Sequence, residues 1–278
     1  MMQLLDKLTE HTLQRPGCRL HYWLGGAADR PLVALLHGAT MDHQMFEEQV
    51  AVLLDEYRVL VWDARSHGRS RPAAGDFGLG DCANDLLAIL DHLGVEQAAL
   101  VGQSMGGYIA QQFYLRYPHR VHTIVIIGST CIAFPYSQLD IWALKATLPL
   151  FNVWPYRHLV EIVARNTAIQ PAVRDYARRT VNQLSRKEFL AIWKAVTLTV
   201  SREGIPNHHI HVPLLLTPGD QDNTGTIRRD TPKWAAYEPD VRYVVIPDAG
   251  HNANQDNPTF FNRLLLEFLR EHVPAVYS

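Results

Sequence analysis

Gly102-Gln103-Ser104-Met105-Gly106 has the spacing GxSxG, in which a single hydroxyl can be made a nucleophile. Residues 98–101 before it are an apolar run of strand length. Residues 105–117 after it carry Ile109, Ala110, Phe113 and Tyr114 at helical spacing until Pro118 ends them. A serine on so abrupt a strand-to-helix turn sits in strained backbone, flanked by glycines where neighbouring chain leaves no room for a Cβ. The turn pushes the Ser104 hydroxyl out over the end of a sheet. It also sets the Met105 N–H at a helix N-terminus, where unpaired donors favour an anion.

Such a hydroxyl needs a base within reach, and the base needs an acceptor that fixes its tautomer. Of 14 histidines, His251 is the one in a glycine-flanked loop directly after a late apolar strand, 241–246. Asp220 and Asp222 follow the strand before it, 212–217, and either could be the acceptor. Residues 32–36 are apolar throughout, as in a strand buried on both faces. They lead into His37-Gly38-Ala39-Thr40, where glycine lets backbone approach a ligand. The Ala39 N–H is the expected second oxyanion donor. His37 and Gly38 are expected beside the substrate, with bonding to loop backbone as the plainer role for His37.

The elements that must hold these groups alternate. Strands at 18–24, 32–36, 59–62, 98–101 and 121–127 are interleaved with helices at 81–93, closed by Gly94, and at 105–117. This predicts an α/β fold, a mostly parallel central sheet with helices on both faces. Loops after its strands should open at one edge, where the strand carboxyl ends collect ligands. In the loop 63–70, Asp63 and Arg65 are expected to tie the chain together while His67 and Arg69 face solvent.

From 131 to 207 strand runs vanish and aromatics accumulate, which predicts a helical cap inserted after the sixth strand. The core would then be 1–130 and 208–278. Ser185 and Glu188 form a capping box there. Trp142, Trp154 and Trp193 are expected to line an apolar pocket over Ser104, the duller role being the insert's own core. A helix at 226–236 and a last one capped by Asn257 with Pro258 complete the chain.

At 278 residues, 47% hydrophobic and 19% charged, the chain can bury a large core. Its 26 Lys+Arg against 28 Asp+Glu argue against a nucleic-acid partner. Residues 1–17 are too polar for a secretory leader and no apolar run is long enough for a membrane helix, so a cytoplasmic protein is expected. Cys18, Cys82 and Cys131 are far apart and read as reduced thiols. His208-His209-Ile210-His211 is a poor metal site, because in an extended segment only His209 and His211 share a face.

The motifs together resemble the α/β-hydrolase superfamily: HGAT after one strand, DARSHGRS after the next, GQSMGG at the elbow, then GDQD and AGHNANQDNP. The resemblance covers nearly all of the chain outside the insert. It implies the order Ser104, Asp222, His251 for a catalytic triad, with Asp222 chosen over Asp220. It also implies a cofactor-free hydrolase of small, apolar ester-like substrates. Carbon–carbon and enol-lactone hydrolases, haloperoxidases and acyltransferases share this triad, and a ligand-binding receptor could keep the same scaffold. Dehalogenases and epoxide hydrolases carry aspartate where this chain has Ser104. Two departures stand out: Ser66 replaces the usual glycine, at a cost of roughly 1 kcal/mol if the backbone is left-handed, and Ala39 replaces a second glycine or a large aromatic.

Overall fold

The continuous apolar runs of the sequence become the central strands of one sheet. The computed structural model describes residues 7–273. Its strands are β1 (Thr9–Arg15), β2 (Cys18–Gly25), β3 (Leu32–Leu36), β4 (Arg58–Asp63), β5 (Ala98–Gln103), β6 (Val121–Ile127), β7 (Leu214–Thr217) and β8 (Val241–Tyr243). Their order is β1-β2-β4-β3-β5-β6-β7-β8, antiparallel at β1/β2 and β2/β4 and parallel elsewhere. The helices are α1 (Glu47–Leu53), α2 (Leu79–His92), α3 (Met105–Arg116), α4 (Gln138–Val153), α5 (Tyr156–Thr167), α6 (Pro171–Asn182), α7 (Arg186–Thr197), α8 (Ile227–Tyr237), α9 (Ala253–Asp256) and α10 (Pro258–His272).

Strand alternation divides the core in two. Leu32, Ala34 and Leu36 of β3 pack with Leu86 and Ile89 of α2 and Ile109 and Phe113 of α3. Val33 and Leu35 face the other way, toward Val50 and Leu53 of α1 and Phe261 and Leu265 of α10. Each fully buried Leu, Ile or Phe here contributes roughly 1.5–3 kcal/mol. Leu159, Val160, Ala177 and Phe189 join the second cluster, so the buried sides of α5–α7 are continuous with that half of the core.

Register decides where the loops emerge. Leu36 pairs with Gly102, Gln103 with Ile127, and Ile127 with Thr217, so β3, β5, β6 and β7 end at a common rim. A bridge between Gly219 and Ile246 extends that rim to the segment before His251. The sheet order reverses between β3 and β5, and a crevice opens at such a switch point.

Two elements escape the sequence pattern. β1 has no buried residue and pairs along the sheet edge, so no apolar alternation marks it. α1 supplies the crossover that the parallel pair β3/β4 requires, on only Val50, Leu53 and Gln49 as buried positions. The loop 63–70 also differs from expectation at His67, which is fully buried instead of solvent-facing. Its Nδ1–H donates to Arg65 O at 3.0 Å, and burial pushes its pKa down to about 3. Asp63 does tie the loop, accepting from the His43 and Arg69 N–H groups at 2.8 and 2.7 Å. Arg65 instead reaches α2, forking onto Asp85 through Nε and Nη2, both at 2.7 Å. Ser66 is left-handed, φ 67°, so this serine carries the strain that a glycine would avoid.

Candidate active site

Ser104 stands between β5 and α3 with φ 50° and ψ −112°, a conformation that a non-glycine residue holds only when its surroundings over-determine it. Here they do. Its N–H donates to Ile127 O at 2.8 Å, and its carbonyl accepts from Tyr108 N–H at 3.1 Å and from Ser129 Oγ at 2.6 Å. A Cβ on Gly106 would stand 1.9 Å from Leu36 O, and one on Gly102 2.4 Å from Gly106 O. The flanking glycines are therefore dictated by backbone packed against backbone. Met105 opens α3, so its N–H is one of the donors without an intrahelical acceptor.

His251 Nδ1 lies 2.9 Å from Asp222 Oδ2, and Asp222 Oδ1 accepts the Thr224 N–H at 2.8 Å. Burial alone would raise the Asp222 pKa. The His251 ring and the Thr224 contacts outweigh it, and the carboxyl lies below its ordinary value. An ionised Asp222 is acceptor-only, so Nδ1 carries the proton and Nε2 is left as the free base. Gln103 Nε2 donates to His251 O at 3.0 Å, tying the histidine loop to the strand that carries the serine. Asp220 points elsewhere: its Oδ1 accepts the Ala249 N–H at 3.0 Å.

Ser104, His251 and Ala39 all line one cavity of about 560 Å³, walled by Phe151, Val163, Phe189, Trp193 and Ile227. Among the described residues no hydrogen bond joins Ser104 Oγ to the imidazole; such bonds often tighten only with substrate bound. Ala39 sits in a turn closed by Met41 N–H donating to Gly38 O at 3.2 Å, with Thr40 at φ 66° in a position that favours glycine.

Several residues expected on the pocket lie off it. His37 is buried, its Nδ1–H donating to Gly38 O at 2.8 Å and its Nε2 accepting the Ala64 N–H at 3.0 Å. Burial holds its pKa below the usual histidine value, so it is a neutral brace between two loops. Gly38 packs against Gln103, whose Oε1 would be 2.0 Å from a Cβ there. Trp142 and Trp154 are exposed on the outer side of α4 and just beyond it, while Trp193 faces the cavity and donates through Nε1 to Thr147 Oγ1 at 2.6 Å. His209 lies 3.5 Å from Glu238, a carboxylate remote in sequence, and stacks on Tyr237.

The sequence reading missed the polar wall. Tyr108 OH lies 2.8 Å from Thr130 Oγ1, and Thr130 in turn contacts Tyr136 OH; all three line the cavity. Tyr108 stands one helical turn after Ser104, a spacing that would have pointed to it. Asp256 was also missed: it accepts the N–H groups of Gly250, Ile169 and Gln170, joining the histidine loop to the chain between α5 and α6.

A parallel sheet with a strained serine on its strand-to-helix turn and a histidine–aspartate pair at the same rim defines a class, the hydrolases of the α/β fold. The chain belongs to that family, whose description, alpha/beta hydrolase fold, matches residues 31–258, and it is a hydrolase. It is 30% identical to 3-oxoadipate enol-lactonase 2 of Acinetobacter baylyi, over 90% of this chain and 93% of that one. It is 25% identical to an uncharacterized carboxylesterase of Bacillus subtilis, over 89% and 82%. A solved hydrolase from Pseudomonas aeruginosa PA01 superposes with a TM-score of 0.83 at 26% identity, covering 94% of this chain and 98% of that one. Among the described residues no helix is long and apolar enough to cross a membrane.

Proposed function

We propose that this hydrolase cleaves small, largely apolar carboxylic esters through Ser104, His251 and Asp222 by way of an acyl-enzyme. The observation that carries the proposal is the 2.9 Å contact of His251 Nδ1 with Asp222 Oδ2 beside a cavity onto which Ser104 also opens. Ser104 Oγ attacks the acyl carbon while His251 Nε2 takes its proton. Asp222 stabilises the imidazolium, and the Met105 and Ala39 N–H groups receive the oxyanion, each contributing about 3 kcal/mol. The imidazolium then gives its proton to the leaving alcohol. Water, deprotonated by the same nitrogen, attacks the acyl-enzyme and releases the acid.

Residues 131–207 act in this reading as a cap that sets acyl preference. The cavity wall is mainly aliphatic and aromatic, and among its described lining residues Asp140 is a carboxylate while none is Lys or Arg. That lining favours an uncharged acyl group over one bearing a carboxylate. The relative named an enol-lactonase supports a second reading, in which the same steps open a lactone and the alcohol stays on the product.

The test is a panel of p-nitrophenyl esters of increasing acyl length together with uncharged lactones. Turnover of the short and medium esters, reduced to background in Ser104→Ala, is expected. Turnover that survives in Ser104→Ala would overturn the nucleophile. Slow single-turnover labelling by every ester would instead favour a receptor on a hydrolase scaffold.

A further inference from the structure

Helix α4 has no buried residue, yet it is apolar on two sides. One side, with Ala143, Leu144, Thr147 and Phe151, lines the cavity. On the other, Leu139, Trp142, Leu150 and Val153 are 72, 67, 44 and 78% exposed. An apolar side of a helix is normally packed against another element. Together with Ala146 the exposed residues form one stripe at 139, 142, 146, 150 and 153, and these positions are symmetric about Ala146.

We infer that the outer face of α4 is the contact through which two copies of this chain pair about a two-fold axis. A two-fold contact matches one surface to itself with direction reversed. The symmetric spacing meets that demand: Leu139 would meet Val153 of the partner subunit, Trp142 would meet Leu150 of the partner subunit, and Ala146 would lie at the axis, where a small side chain allows close approach. The stripe and the neighbouring Trp154 leave on the order of 500 Å² of apolar surface in water, near the upper limit for a single patch on a monomer. Two copies would hide about twice that, close to the ~1,200 Å² at which stable interfaces begin once their rims are included.

The helix is held firmly enough to present this face. Asp140 near its start pairs with Arg229 of α8 at 2.9 Å, and Arg186 donates to the carbonyls of Phe151, Asn152 and Trp154 at its end. Exposed Lys145 flanks the axis in both copies, so salt should strengthen the association by screening that pair. Because the same helix roofs the cavity, pairing would also fix the roof.

Sedimentation of the full chain between about 1 and 100 µM, at low and high salt, reads the outcome directly. We expect the mass to double with concentration, and salt to shift the transition to lower concentration. Trp142→Glu and Leu139→Glu should remain single chains at every concentration, with the thermal midpoint of the dilute, single wild-type chain, their side chains being exposed in the fold. Ala146→Cys should give a disulfide-linked dimer with copper phenanthroline while Arg157→Cys does not, the native cysteines being buried. A wild-type chain that stays single throughout overturns the inference. So does a dimer indifferent to Trp142→Glu, or a single chain that floats with phosphatidylcholine vesicles through this face.

Discussion

Replacing Asp222 by asparagine should trap His251 in the wrong tautomer. Asp222 Oδ1 accepts the Thr224 N–H at 2.8 Å, and Oδ2 faces His251 Nδ1 at 2.9 Å. An asparagine amide that keeps the Thr224 bond must turn its NH2 toward Nδ1. That nitrogen then becomes an acceptor, the ring proton moves to Nε2, and the nitrogen proposed as the base for Ser104 can no longer take a proton. The anion is lost as well: a unit charge about 4 Å from the imidazolium, at an effective dielectric of ~20, contributes about 4 kcal/mol. That loss is roughly a thousandfold in rate before the tautomer is considered. We expect kcat to fall by ~1,000-fold or more with KM within about threefold, because the interaction is made in the transition state. Asp220→Asn keeps an acceptor for the Ala249 N–H and should hold kcat within about threefold. Steady-state kinetics on one p-nitrophenyl ester, with circular dichroism to show folding, make the comparison. A loss under about tenfold in Asp222→Asn, or an equal loss in Asp220→Asn, would rule out this role for Asp222.

His67 has its pKa pushed down to about 3 by burial. The unfolded chain therefore takes up that proton first, and the contribution to stability is complete above about pH 6.5 and lost as pH falls toward about 3. Urea unfolding across that window should show a shallower decline in His67→Gln, and an unchanged slope would contradict the assignment. Asp85→Ala strands the buried Arg65 guanidinium and should cost ~3–5 kcal/mol, a fall of roughly 10 °C in Tm by calorimetry; a fall below about 2 °C would contradict it. Trp193→Ala enlarges the cavity wall and should raise kcat/KM for longer acyl chains relative to acetate by roughly tenfold. An unchanged chain-length profile would remove Trp193 from the specificity wall.

What could be read from the chain was what local backbone dictates. Gly102 and Gly106 are demanded by contacts within and beside one turn, and the Ser185–Glu188 capping box closes within four residues. Strands buried on both faces, such as β3, announce themselves by an unbroken apolar run. The rest depends on distant partners. β1 has Leu13 as its one apolar residue, and its pairing with β2 replaces the burial that would have marked it. His67 looks like a loop histidine until the fold buries it against His37. α4 carries apolar residues toward both the cavity and solvent, so spacing alone could not tell that Trp142 faces out. Asp220 and Asp222 differ by one turn of loop, and the sequence alone left either open; only the resemblance preferred the residue that reaches His251.

In the proposed mechanism one alcohol among all the serines is made reactive by a distant histidine. Labelling the folded protein with a p-nitrophenyl alkylphosphonate and locating the adduct by peptide mass spectrometry tests it most directly. A single adduct is expected, on Ser104, formed far more slowly in His251→Ala. An adduct on another residue, or none on a protein shown to be folded, would contradict it.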